Sequence, residues 1–198
     1  MKKVLLIAIM LGLVPAVAAQ TSNTGTSALE CKLKLSQAPA IRGVHLGMTV
    51  NELLEVFPGA DKDESLRKRS QARFGVIHAN IEPAKYGSKE KFVGVSSVGF
   101  SFLDGELISF NVAYDGPEFG TSDQFVSKVV ETLNLPGVEF WKDYGTSAKM
   151  TCDGFEMRVQ VLKGTNVITV RNLGKDANKI ALEREEAVKA EARRAFKP

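Results

Sequence analysis

Two cysteines, two histidines and one tryptophan in 198 residues leave this chain little material for site chemistry. His45 and His78 have no carboxylate or cysteine at ligand spacing, and zinc needs three or four ligands. No nucleophile elbow is present, and Gly43-x-x-x-Gly47 lacks the Gly-Lys-Ser/Thr ending of a phosphate loop. Asp61, Asp63 and Glu64 are acidic and close in sequence but lack the twelve-residue calcium pattern. All of these residues read as structural, and no metal or cofactor is expected. A charge excess is missing too. Taking Lys2 and Lys3 from the 26 basic side chains leaves 24 against 23 acidic ones. Lys/Arg clusters with interleaved aromatics are absent, so nucleic acid is not expected as a partner.

The apolar run from Val4 to Val14 is well short of the roughly 20 residues that span a membrane. It follows Lys2 and Lys3 and precedes Pro15 and the small residues Ala16 to Ala19, the order of a secretory signal peptide cut after Ala18 or Ala19. Residues 1–19 are therefore expected to be removed, and the mature chain to be periplasmic or secreted, with no transmembrane segment. Residues 20–28 are small and polar and predict a disordered leader. Two cysteines in an exported chain most simply form one disulfide, Cys31–Cys152; the alternative is a reactive thiol, which would want an exposed, electropositive setting. Closing a loop of about 120 residues would stabilise the fold by roughly 4 to 5 kcal/mol in the chain-entropy model.

The rest predicts an α+β domain over residues 29–173, an antiparallel sheet with short helices on one face. Leu29, Cys31, Leu33 and Leu35 alternate with polar residues and predict a half-buried strand. Thr49 with Glu52 forms a capping box, Met48 is placed to staple onto Leu53, and Pro58-Gly59 stops a two-turn helix. Asp61 to Ser70 reads as solvated mixed charge, its Arg67-Lys68-Arg69 included, and Phe74 to Ile81 as a strand. Val93 to Tyr114 predicts a hairpin. To keep Val98, Phe100 and Phe102 on the face of Ile108, Phe110 and Val112, even positions must oppose even ones. That requirement predicts a loop with a bulge at Gly105, placing Phe100 near Ile108 and Val98 near Phe110.

A second box, Thr121 with Gln124, opens a helix to Asn134 whose stripe is Phe125, Val129, Val130 and Leu133, and Pro136-Gly137 closes it. Ala148, Met150 and Cys152 oppose Phe155, Met157 and Val159 across Asp153-Gly154, the parity of a two-residue turn, and a further strand follows from Val167. The recurrence of cap, helix, Pro-Gly and strands suggests two units, 29–116 and 117–173. A polar C-terminal helix occupies the end of the chain, within 174–198, with a thin stripe that includes Ile180 and Val188. Phe140, Trp141 and Tyr144 are the one aromatic concentration in a polar setting. With Ile180 and Val188 they are the candidate interface residues.

Val44-His45-Leu46-Gly47-Met48-Thr49 followed by Glu52-Leu53-Leu54 resembles the apolar-x-x-Gly-Met-Thr-x-x-x-Val/Leu signature of the outer-membrane-assembly lipoproteins called SmpA or BamE. The β-lactamase inhibitory proteins have a similar helix-and-sheet unit in tandem. The resemblance implies a non-catalytic protein-binding module with helices against a short antiparallel sheet. The chain departs from that pattern in having no lipid-anchor cysteine, and neither family's activity carries over. Two readings stand. One is an exported protein-binding or adaptor module of the cell envelope, with another envelope protein as partner. The other is a small exported hydrolase whose site is built from scattered carboxylates and His45 or His78.

Overall fold

The computed structural model describes residues 29–64, 76–116, 119–175 and 177–195. The expected signal peptide, the leader and the Arg67–Arg69 run lie outside them. One antiparallel sheet of seven strands organises the molecule. In chain order these are β1 (Val76–Ile81), β2 (Val95–Leu103), β3 (Glu106–Tyr114), β4 (Lys142–Asp143), β5 (Ser147–Thr151), β6 (Phe155–Leu162) and β7 (Thr165–Asn172), arranged β1-β2-β3-β7-β6-β5-β4. Each suggested unit contributes a helix and then a meander. The two meanders meet through their last strands, with Phe110 opposite Val170 and Tyr114 opposite Asn166. Helices α1 (Val50–Val56) and α2 (Ser122–Leu133) pack on one face of the sheet, and their buried residues join its inward side chains in one core. Helix α3 (Ala177–Ala195) contacts β1 and β2 at the opposite face.

The helix starts follow the sequence. Thr49 caps α1: its N–H donates to Glu52 Oε2 at 2.7 Å, and its Oγ1 accepts from Glu52 N–H at 3.3 Å. The Thr49 backbone N–H first, and second its hydroxyl, which donates to Glu52 Oε2 at 2.9 Å, hold the Glu52 carboxyl below its ordinary range. Met48 and Leu53 are both buried in the core. At α2, Thr121 Oγ1 accepts from Gln124 N–H, while the Gln124 side chain reaches Gly120 N–H rather than that of Thr121. Val126 joins Phe125 and Val129 in the core, whereas Val130 and Leu133 are only partly buried.

Two expectations are corrected. The first hairpin has a two-residue turn, Asp104-Gly105, with both residues at positive φ and Leu103 opposite Glu106. Its bulge lies two pairs further on: Phe102 opposes Leu107 and Ser101 opposes Ser109, leaving Ile108 as the extra residue. The even-to-even pairing is therefore present, but Phe100 opposes Phe110 and Val98 opposes Val112. The bulge at Ile108 lets Leu107 enter the core, while Leu103 and Ile108 are buried outside it. Arg184 of α3 is ion-paired with Asp104 in that turn at 2.5 Å, and Lys175 with Glu106.

The second correction concerns Leu29 to Leu35, which does not form a strand. Lys34 makes a single bridge to Asp153, whose N–H donates to Leu33 O at 2.9 Å, and a 3₁₀ turn begins at Leu35. Cys31 is buried as the alternation required, but Leu29 is 58% exposed. The disulfide, rather than a hydrogen-bond ladder, holds this segment: Cys31 and Cys152 are bonded across 121 residues with their Cα atoms 4.6 Å apart. A close approach at the β5–β6 turn completes the seat. Gly154 takes φ +87°, and a Cβ there would lie 3.1 Å from that of Leu35.

Candidate functional site

The two histidines of the hydrolase reading stand on different elements. His45 is exposed beside the α1 entry, where its Nδ1 lies 3.0 Å from Leu46 O. His78 is exposed on β1, with its Nδ1 3.0 Å from Ser101 Oγ across the strand pair. That serine–histidine contact stands on a sheet face, and neither residue lines the cleft described below. No group of three or more metal-ligating side chains forms among the described residues.

The aromatic concentration is split. Trp141 is 7% exposed and belongs to the core, so it is not available as a surface anchor. Phe140 is half-buried and Tyr144 half-exposed, and the two come together with Lys142, Lys149 and the disulfide around an open depression of about 810 Å³. On α3, Val188 is 66% exposed and Ile180 half-buried, on the far side of the sheet. The five candidate interface residues thus do not form one surface.

A second cleft, of about 450 Å³, opens where the two meanders meet. Such a volume is at the lower end of the roughly 300–1,000 Å³ typical of ligand sites. Its lining is largely apolar, from Ile41, Ile168 of β7, and Phe125, Val129 and Leu133 of α2, with the buried Asn166 of β7 beside them. Phe119 stacks on Phe125 at 5.0 Å between ring centroids and lines one side. The mouth is polar, with Arg42, Lys128, Tyr114 and Asp115. Lys128 is ion-paired with Glu131 at 2.8 Å, which holds that carboxyl below its usual range. Arg42 and Asp115 have no ion-pair partner among the described residues. Burial pushes the Tyr114 hydroxyl up, and Arg42 nearby partly offsets the rise.

The backbone puts Arg42 in place. Ile41 and Val44 exchange both hydrogen bonds, at 2.9 and 3.0 Å, around Arg42 and Gly43. Both residues have positive φ, 55° and 90°, the conformation of a type I′ turn. Glycine, asparagine and aspartate favour the first position of that turn; arginine is strained there. A Cβ at Gly43 would meet Lys91 Nζ at 2.8 Å. No protein-family model, curated protein or solved structure matches the chain.

Proposed function

We propose that this chain is an exported, non-catalytic protein-binding or adaptor module of the cell envelope, released by cleavage near Ala18 or Ala19, and that it grips its partner at the cleft between α2 and the β3–β7 seam. The observation that carries the reading is the cleft itself: an apolar floor with charge confined to the rim suits retention of an apolar anchor. The disulfide is compatible with an oxidising compartment, and no helix among the described residues is long and apolar enough to cross a membrane. The likeness of residues 44–59 to the SmpA or BamE signature supports the same class.

The test is crosslinking in the native envelope, comparing wild type with Thr132→Arg. Thr132 is exposed and lines the cleft, so the substitution blocks it without touching the core. A partner captured by wild type and lost in this variant is expected. A partner retained undiminished would place the interface elsewhere. A hydrolytic activity abolished by His45→Ala or His78→Ala would replace the reading with the enzyme alternative.

A further inference from the structure

We infer that the cleft recognises a chain end: the C-terminal residue of a partner peptide, with an apolar side chain on the Phe119–Phe125 floor and its free carboxylate on Arg42. The inference rests on the binding reading above and names the chemistry of the anchor. Three features converge on it. The floor takes an apolar or aromatic side chain of limited size, because the cleft is about 450 Å³. The rim holds one cation, Arg42, that no carboxylate of the described residues neutralises, in contrast to Lys128, which Glu131 engages. A guanidinium fork matches a carboxylate in bidentate geometry. The rim also carries Asp115, an acceptor that would repel a bare anion but suits the amide N–H preceding a terminal carboxylate. An anionic amphiphile without that N–H would leave Asp115 unmatched; a peptide end matches both charges.

The conformation of Arg42 is a second, independent indication. A non-glycine residue at φ 55° carries strain that asparagine or glycine would relieve. Holding an arginine in that turn aims a charge at the mouth of the cleft at the expense of stability, the pattern of a binding residue rather than of a turn chosen for folding.

Arg42→Asn separates the two roles, because asparagine keeps the turn and removes the charge. Calorimetric titration of the oxidised protein would use two synthetic peptides, N-acetyl-Gly-Gly-Gly-Phe as the free acid and as the C-terminal amide. Wild type is expected to bind the acid about tenfold or more tightly than the amide, as a charge-assisted contact implies. In Arg42→Asn that preference is expected to disappear while the melting temperature stays level or rises. Asp115→Asn should weaken the amide more than the acid, because it costs both peptides the charged N–H acceptor but relieves repulsion of the terminal carboxylate in the acid alone. Equal binding of acid and amide by wild type would overturn the chain-end inference and leave the cleft as a site. Binding of neither peptide, with the envelope partner still lost in Thr132→Arg, would overturn this inference alone. Binding of neither, with the partner unaffected by that variant, would overturn both.

Discussion

The two helix-and-meander units use the same devices and end with different interiors. In the first, Phe57 at the C-terminal end of α1 is the centre of an aromatic cluster. Phe57 is fully buried, stacks on Phe92 at 4.8 Å and meets Phe100 edge-on at 6.0 Å. In the second, Phe119 and Phe125 stack on each other at the side of α2, and the space between that helix and the β3–β7 seam stays open as the cleft. Similar cap residues therefore lead to a buried aromatic cluster at the end of α1 and to a cleft beside α2. What differs is where the aromatic volume sits. The buried Phe57 cluster serves stability in the first unit, and binding is proposed for the cleft of the second.

Removing the disulfide tests that division most strongly. Replacing Cys31 and Cys152 together by serine should lower the unfolding free energy by roughly 4–5 kcal/mol in the chain-entropy model, read from denaturant midpoints. Because Cys31 is tied to the end of β5, the loss should appear first as hydrogen exchange in β5 and β6 of the second unit. Uniform loss across both units would show that the sheet unfolds as one block. Phe57→Ala comes next. Truncating a fully buried phenylalanine to alanine costs about 3–5 kcal/mol. Phe119→Ala should cost about 1–2 kcal/mol, since the ring is only partly buried and lines the cleft. Equal losses at the two positions would mean that the second unit is as tightly filled as the first.

A smaller effect of opposite sign is expected at Arg42. Arg42→Asn should stabilise the protein by on the order of 0.5–1 kcal/mol, part of the roughly 1–3 kcal/mol that a left-handed non-glycine conformation costs. A loss of stability on chemical denaturation would show that the arginine supports the turn instead of straining it.

How far the sequence foretells these features depends on how local they are. Thr49 with Glu52 and Thr121 with Gln124 mark both helix starts, because a cap is satisfied within four residues of chain. The α+β class follows from the strand and helix periods, and the Cys31–Cys152 pairing from there being two cysteines. The turn glycine Gly105 is where the sequence pattern puts the bulge, whereas the core selects Ile108, since only there does Leu107 reach the inward face. Cys31 has the burial of a strand residue without the strand, because a disulfide can fix one side chain with no ladder beside it. The cleft was not legible. Arg42, Tyr114, Phe125 and Ile168 are scattered over some 126 residues, and only the β3–β7 pairing brings them together. A signal did exist at Arg42-Gly43, between Ile41 and Val44. An Arg-Gly pair flanked by buried aliphatics fits a two-residue turn with an unusual residue at its first position.

The caps themselves provide the finest contrast between the units, because one titrates and the other does not. The α1 box uses Glu52, whose folded pKa lies below its ordinary value near 4.5, whereas α2 has no reciprocal box and its neutral Gln124 accepts from Gly120 N–H. A depressed carboxyl pKa stabilises the fold fully above the unfolded value, and the contribution fades as pH falls through the folded one. Between about pH 5 and the acid limit, the first turn of α1 should therefore loosen while that of α2 stays unchanged. Amide shifts of Thr49 and Glu52 would report the first, and those of Gly120 and Gln124 the second. Glu52→Gln should remove the titration, since glutamine still accepts the Thr49 N–H but carries no proton to gain. Matching acid shifts at both helix starts would show that the whole sheet, rather than the Glu52 cap, responds to pH.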